Sequence, residues 1–142
     1  MPADLLTLTR ERAQANLFWR YLGVQVDDAG VGWVRLRVPV KEALRNSTGA
    51  PVHGGVLGAL VDMAVGGALG TTHENAGGGV GQTTLDLNVS FLAAAGDGDI
   101  LAEGRLLRRG RTIAFGEARI TDGAGRLVAV GRATYMLLQP KP

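Results

Sequence analysis

Asp62 stands inside an apolar run that opens His53-Gly54-Gly55 and continues Val-Leu-Gly-Ala-Leu-Val. Burying a carboxylate in such a run costs free energy unless it meets an ionic partner or does chemistry. The two glycines let a ligand approach the first backbone N–H groups of a helix, where partial positive charge gathers. The pattern therefore suits a site that polarises a carbonyl group and attacks it.

Several elements must position these residues. Residues 8–22 read as one amphipathic helix, with Thr9 as cap, Leu17, Phe18, Tyr21 and Leu22 as its apolar face, and Gly23 at its end. Residues 24–28 and 31–40 read as strands around an Asp-Ala-Gly turn. In the second, Val34, Leu36 and Val38 alternate with Trp33, Arg35 and Arg37. A loop at 41–53 holds Asn46, and the helix then runs over 54–73. Its many glycines lower helix propensity, a cost that makes sense if a curved sheet sheathes this small-residue helix closely. Strand 82–92 places Thr83, Leu85, Leu87, Val89 and Phe91 on one face and Thr84, Asp86, Asn88 and Ser90 on the other. Strands at 99–109, 111–121 and 126–138 complete an antiparallel meander, joined by tight turns at Arg109-Gly110-Arg111 and Asp122-Gly123-Ala124-Gly125. One sheet wrapped around one buried helix is the economical arrangement, an α+β fold filling a single domain, 1–142.

Composition narrows the chemistry. A net charge of +2 does not call for a nucleic-acid surface. The absence of Cys removes disulfides, thiolate nucleophiles and Cys-ligated metals, and two His with no acidic partner pattern argue against a zinc site. No segment reads as a secretory signal or a membrane span, so the expected location is cytoplasmic. Thirteen of the fifteen cations are Arg, four of them (Arg105, Arg108, Arg109, Arg111) close together, a bias that suits phosphate recognition or simply reflects the base composition of the gene.

The element order, together with Asn46, His53-Gly54-Gly55 and Asp62, resembles the hotdog fold, and more narrowly the acyl-CoA thioesterases of the phenylacetate-degradation family. Two further blocks share the resemblance: Thr83-Thr84-Leu85-Asp86-Leu87-Asn88-Val89-Ser90-Phe91-Leu92, and Arg108-Arg109-Gly110-Arg111. It covers residues 16–138 and implies a curved antiparallel sheet around one long central helix, dimerising through the sheet.

The resemblance implies hydrolysis of an acyl-CoA whose acyl group is small and aromatic or of medium chain length. It gives Asp62 the role of general base or nucleophile and the Gly54 backbone N–H that of oxyanion donor. Thr84 would hold the water or the carboxylate, and Asn46 and His53 would orient substrate. Gly55, Thr83, Arg109 and Arg111 would bind substrate, the two arginines at the coenzyme A phosphates. No cofactor is implied beyond the coenzyme A of the substrate. From 54 to 62 an α-helix rises ~12 Å, too far for both ends to touch one thioester carbonyl. Asp62 and Gly54 must then meet across a homodimer, with a dimer of dimers as the expected assembly.

Plainer roles stand beside these: Asp62 in an ion pair, His53 as a helix cap, Asn46 as turn chemistry, Thr84 as a strand former, Arg109 and Arg111 as a polar hairpin tip. His73 reads as a cation at a helix C-terminus, and Trp19 and Trp33 as packing residues. The competing functions are a hotdog hydratase or dehydratase, in which His53 is indispensable, and a non-catalytic acyl-CoA-binding dimer.

Overall fold

The computed structural model describes residues 4–73, 81–96 and 98–138. Two short helices, α1 (Leu5–Ala15) and α2 (Leu17–Leu22), precede strands β1 (Gln25–Gly30) and β2 (Trp33–Val38). The long helix α3 (Gly54–Gly70) follows, then β3 (Gly81–Phe91), β4 (Ile100–Arg109), β5 (Ile113–Thr121) and β6 (Leu127–Leu138). The six strands form one antiparallel sheet in the order β1-β2-β4-β5-β6-β3, and α3 lies across its inner face. This is the expected α+β arrangement of one curved sheet around one helix.

The core sits between α3 and the sheet. Leu60, Val61, Ala64, Val65 and Leu69 of α3 are fully buried against Val34, Leu36, Ile100, Ala102, Ile120 and Val128. Close approach of helix to sheet comes from glycines in the strands. A Cβ on Gly104 would strike the Ala64 carbonyl, one on Gly116 would lie 2.6 Å from Val65, and one on Gly131 2.8 Å from Val61. The helix's own glycines serve the same approach, since a Cβ on Gly66 would lie 2.6 Å from Tyr135 of β6 and one on Gly67 3.3 Å from Val34 of β2, while Gly70 makes room for Arg12 of α1.

Several boundaries differ from the sequence reading. The expected helix at 8–22 is broken at Asn16, whose Oδ1 accepts from the Phe18 and Trp19 N–H groups and so caps a second helix. Asp4 caps the first, and Thr9 lies inside it with its hydroxyl donating to the Leu5 carbonyl. Leu17, Phe18 and Tyr21 are exposed, leaving Leu22 and Trp19 as the α2 residues on the core. Gly23 ends α2 in the left-handed conformation, as its position predicts. The turn between β1 and β2 falls at Val31-Gly32, after the Asp-Ala-Gly segment that was expected to form it. Helix α3 stops at Gly70, short of His73. The sequence also reads as a glycine-rich loop at 77–81 and a turn at Gly96-Asp97-Gly98, of which residues 77–80 and Asp97 lie outside the described residues.

The main departure is in β3. Its pairing with β6 shifts between Thr84 and Asp86, so Leu85 is an extra, unpaired residue. Thr84 opposes Tyr135 while Asp86 opposes Thr134, and adjacent strand residues point to opposite faces. Gln82 and Thr84 therefore face α3 before the bulge, and Leu87, Val89 and Phe91 face it after. Strict alternation, which grouped Thr84 with Asp86 and Asn88, does not hold.

Candidate active site

Asp62 points from the middle of α3 toward the edge strand. The Thr84 hydroxyl donates to its Oδ1 at 2.8 Å. The Tyr135 hydroxyl lies 2.7 Å from the same oxygen and 2.8 Å from the Asp62 carbonyl. Two donors thus converge on Oδ1, while Oδ2 accepts from none of the described residues. Burial, then the neighbouring Asp62 charge, pushes the Tyr135 phenol well above its ordinary value of 10, which keeps its proton in place as a donor. The hydroxyl fits only because position 66 is glycine: a Cβ there would lie 2.6 Å from it.

These groups line a cavity of about 600 Å³ that runs beside α3 toward its C-terminal end. Ala59, Met63, Phe18 and Trp19 give it apolar walls, and Thr83 and Thr84 belong to its rim on β3. At the far end His73 Nε2 is 3.0 Å from Gln82 Oε1, and Gln82 Nε2 donates to the Gly66 carbonyl. His73 was expected as a helix-terminal cation. Instead burial, with Arg12 and Arg109 nearby, holds its pKa below the ordinary 6.5 and favours the neutral ring.

The other site residues from the sequence lie at the opposite end of α3. His53 is the N-cap, its Nδ1 accepting from the Gly55 N–H at 2.8 Å, and its carbonyl accepts from Val56. Gly54 N–H has no partner among the described residues. The Phe91 ring packs on Gly54, 3.3 Å from where a Cβ would stand. Asn46 is exposed in the loop before α3, its N–H donating to the Pro51 carbonyl. Within one protomer, therefore, Asp62, Thr83 and Thr84 share the cavity, whereas Asn46, His53, Gly54 and Gly55 do not line it. Arg109 is exposed and donates to the Thr72 hydroxyl and the Gly110 carbonyl; Arg111 is exposed at the hairpin. Among the described residues no group of three His, Asp or Glu is placed to hold a metal.

Tyr135 is the residue that sequence reasoning missed. Its signal was available: β6 alternates Ala133, Tyr135 and Leu137 toward the core, and a buried phenol requires a partner.

A carboxylate with one oxygen fixed and one unengaged, set beside an apolar cavity, can deprotonate water or attack a carbonyl group directly. The sequence profile of the thioesterase superfamily matches residues 51–129, which include Asp62, Thr84 and the whole of α3. The chain belongs to the thioesterase superfamily. It is 32% identical over 140 residues to human acyl-coenzyme A thioesterase 13, covering 96% of each chain. It is 35% identical over 127 residues to a protein of Halobacterium salinarum designated an esterase, covering 84% of this chain and 83% of the other. Among solved structures, zebrafish thioesterase superfamily member 2 superposes with a TM-score of 0.77 at 34% identity, over 94% of this chain and 96% of that one. The superfamily's hotdog fold is thus the fold described above. No helix among the described residues is long and apolar enough to cross a membrane.

Proposed function

We propose that this superfamily member hydrolyses acyl-CoA thioesters to free acid and coenzyme A, using Asp62 of one protomer and the Gly54 N–H of a second. The observation that carries the reading is the Asp62 carboxylate, held through Oδ1 by Tyr135 and Thr84 at the wall of a cavity able to take an acyl group.

In the general-base course, Asp62 takes a proton from water as its oxygen attacks the thioester carbonyl. The tetrahedral oxyanion is stabilised by the Gly54 N–H of the partner subunit, at the positive end of α3. The C–S bond then breaks, and the departing thiolate recovers the proton. In the nucleophilic course, the carboxylate attacks the thioester carbon and the C–S bond breaks to release the coenzyme A thiolate, leaving a mixed anhydride. Water then opens it to the free acid and the restored carboxylate, and its proton goes to the thiolate. The unengaged Gly54 N–H and the exposed edge strand β3, with Leu85, Leu87 and Phe91 uncovered, support assembly of the site across a homodimer, itself paired into a tetramer. Asn46 and His53 orient the substrate, Gly55 and Thr83 bind it, and Arg109 and Arg111 meet the coenzyme A phosphates. The acyl group is small and aromatic or of medium length, as the resemblance to the phenylacetate-degradation thioesterases implies.

Thiol release over a panel of acyl-CoAs tests the reading. Asp62→Asn should lower kcat by about 10²–10⁴-fold. Binding without turnover by the unaltered protein would instead favour a non-catalytic acyl-CoA-binding dimer. A hydratase would add water to an enoyl-CoA and lose that activity in His53→Ala. In a single turnover in labelled water, label entering the protein carboxylate identifies direct attack.

A further inference from the structure

The cavity has a second polar end. From Asp62 to Gly70 α3 rises ~12 Å, and at Gly70 the guanidinium of Arg12 occupies the space a side chain would fill. Arg12 reaches there from α1, is partly buried, and has its pKa lowered by burial, with no carboxylate among the described residues contributing. None of the ion pairs or side-chain hydrogen bonds among the described residues engages its guanidinium. An unpaired cation at the end of an apolar cavity is costly to leave desolvated, and a bound anion would relieve that cost.

Burial holds His73, beside Arg12, toward the neutral form. Gln82 Nε2 is committed to the Gly66 carbonyl, so Gln82 presents Oε1 to the ring and His73 Nε2 must donate. The neutral ring then carries a lone pair on Nδ1, which is buried and has no partner among the described residues. Arg12 is therefore the cationic donor of this end.

We infer that the cavity selects acyl groups bearing a carboxylate at the end remote from the thioester, received by Arg12 at the C-terminal end of α3. This rests on the hydrolytic reading of the Asp62 site and adds its substrate class. A contact of about 3 Å at each end leaves roughly 6 Å of apolar shaft. One para-substituted ring or a short methylene chain fills that length between Met63, Trp19 and Gly67. Plain acyl groups of the same length would leave the guanidinium unpaired.

The test uses length-matched pairs: adipoyl-CoA against hexanoyl-CoA, and 4-carboxybenzoyl-CoA against 4-methylbenzoyl-CoA. The unaltered protein should favour the carboxylated member of the better pair by about tenfold or more in kcat/KM. Arg12→Gln should reverse that ratio, and Arg12→Lys should keep part of it. Each ratio is taken within one variant, so a loss of folded protein cancels. A purely structural Arg12, closing the end of α3, would lower both members equally and overturn the inference, as would a preference for the plain members. Calorimetric binding of the same pairs to Asp62→Asn reads the subsite without turnover. Hydrolysis of plain thioesters alone sinks the subsite and leaves the hydrolase. Tighter binding of carboxylated members with no turnover sinks the hydrolase and leaves the subsite.

Discussion

The reaction proposed for Asp62 asks two tasks of one carboxylate. Oδ1 is held by two hydroxyls, which orient the group, and in that proposal Oδ2 does the chemistry. Tyr135 is therefore a positioning residue. Tyr135→Phe should lower kcat by about tenfold, the worth of one hydrogen bond to a charged group, with KM changing much less. Thiol-release kinetics on one acyl-CoA read both parameters. His73 gives a second expectation at this scale. Its folded pKa is below the ordinary 6.5, so the unfolded chain binds its proton first as pH falls. Its contribution to stability is fully present above pH 6.5 and is lost as pH drops through the folded value. Denaturant titrations at pH 7.5 and 5.5 should show that loss, and His73→Gln should reduce it. The carboxylates held low, Asp4 and Asp122, act at more acid pH, below their ordinary 3.8.

At the scale of elements, β2, α3 and the β4–β6 meander were legible because one physical signal dominates each. In β2 period-2 alternation is clean, with Val34, Leu36 and Val38 buried. In α3 the apolar run is long and Asp62 is its single charge. Two features escaped. Asn16 interrupts an otherwise continuous apolar pattern, and its competence as an N-cap was outweighed by that continuity. The bulge at Leu85 leaves no mark on composition, since either register of β3 reads as an acceptable strand. The bulge matters for reading the site because it puts Thr84 and Asp86 on opposite faces. Deleting Leu85 removes the extra residue, so Thr84 and Asp86 become consecutive and keep opposing Tyr135 and Thr134, with Thr84 still facing α3. Hydrolysis should then survive the deletion while Thr84→Val lowers it, with circular dichroism showing the sheet retained in both.

For the whole molecule, the edge of the sheet is the decisive surface. β3 pairs with β6 on one side only and spans Gly81–Phe91 with apolar side chains uncovered, the kind of edge that pairs with another chain unless it is guarded. Sedimentation equilibrium should give a mass at least twice the 14.8 kDa of one chain. Leu87→Asp should shift it toward the monomer and remove activity together with assembly, because Asp62 and Gly54 stand at separate places on one α3. A fully active monomer would exclude the shared site.

Gly66 and Tyr135 illustrate how such a centre constrains descent. The phenolic oxygen occupies the volume that any side chain at 66 would claim, so neither position is free to drift by itself. Gly66→Ala should be destabilised, and adding Tyr135→Phe should recover part of the loss, a non-additivity that a double-mutant cycle by chemical denaturation measures. Lineages that abandon the phenol are free to acquire a methyl group at 66, and those that keep it are not.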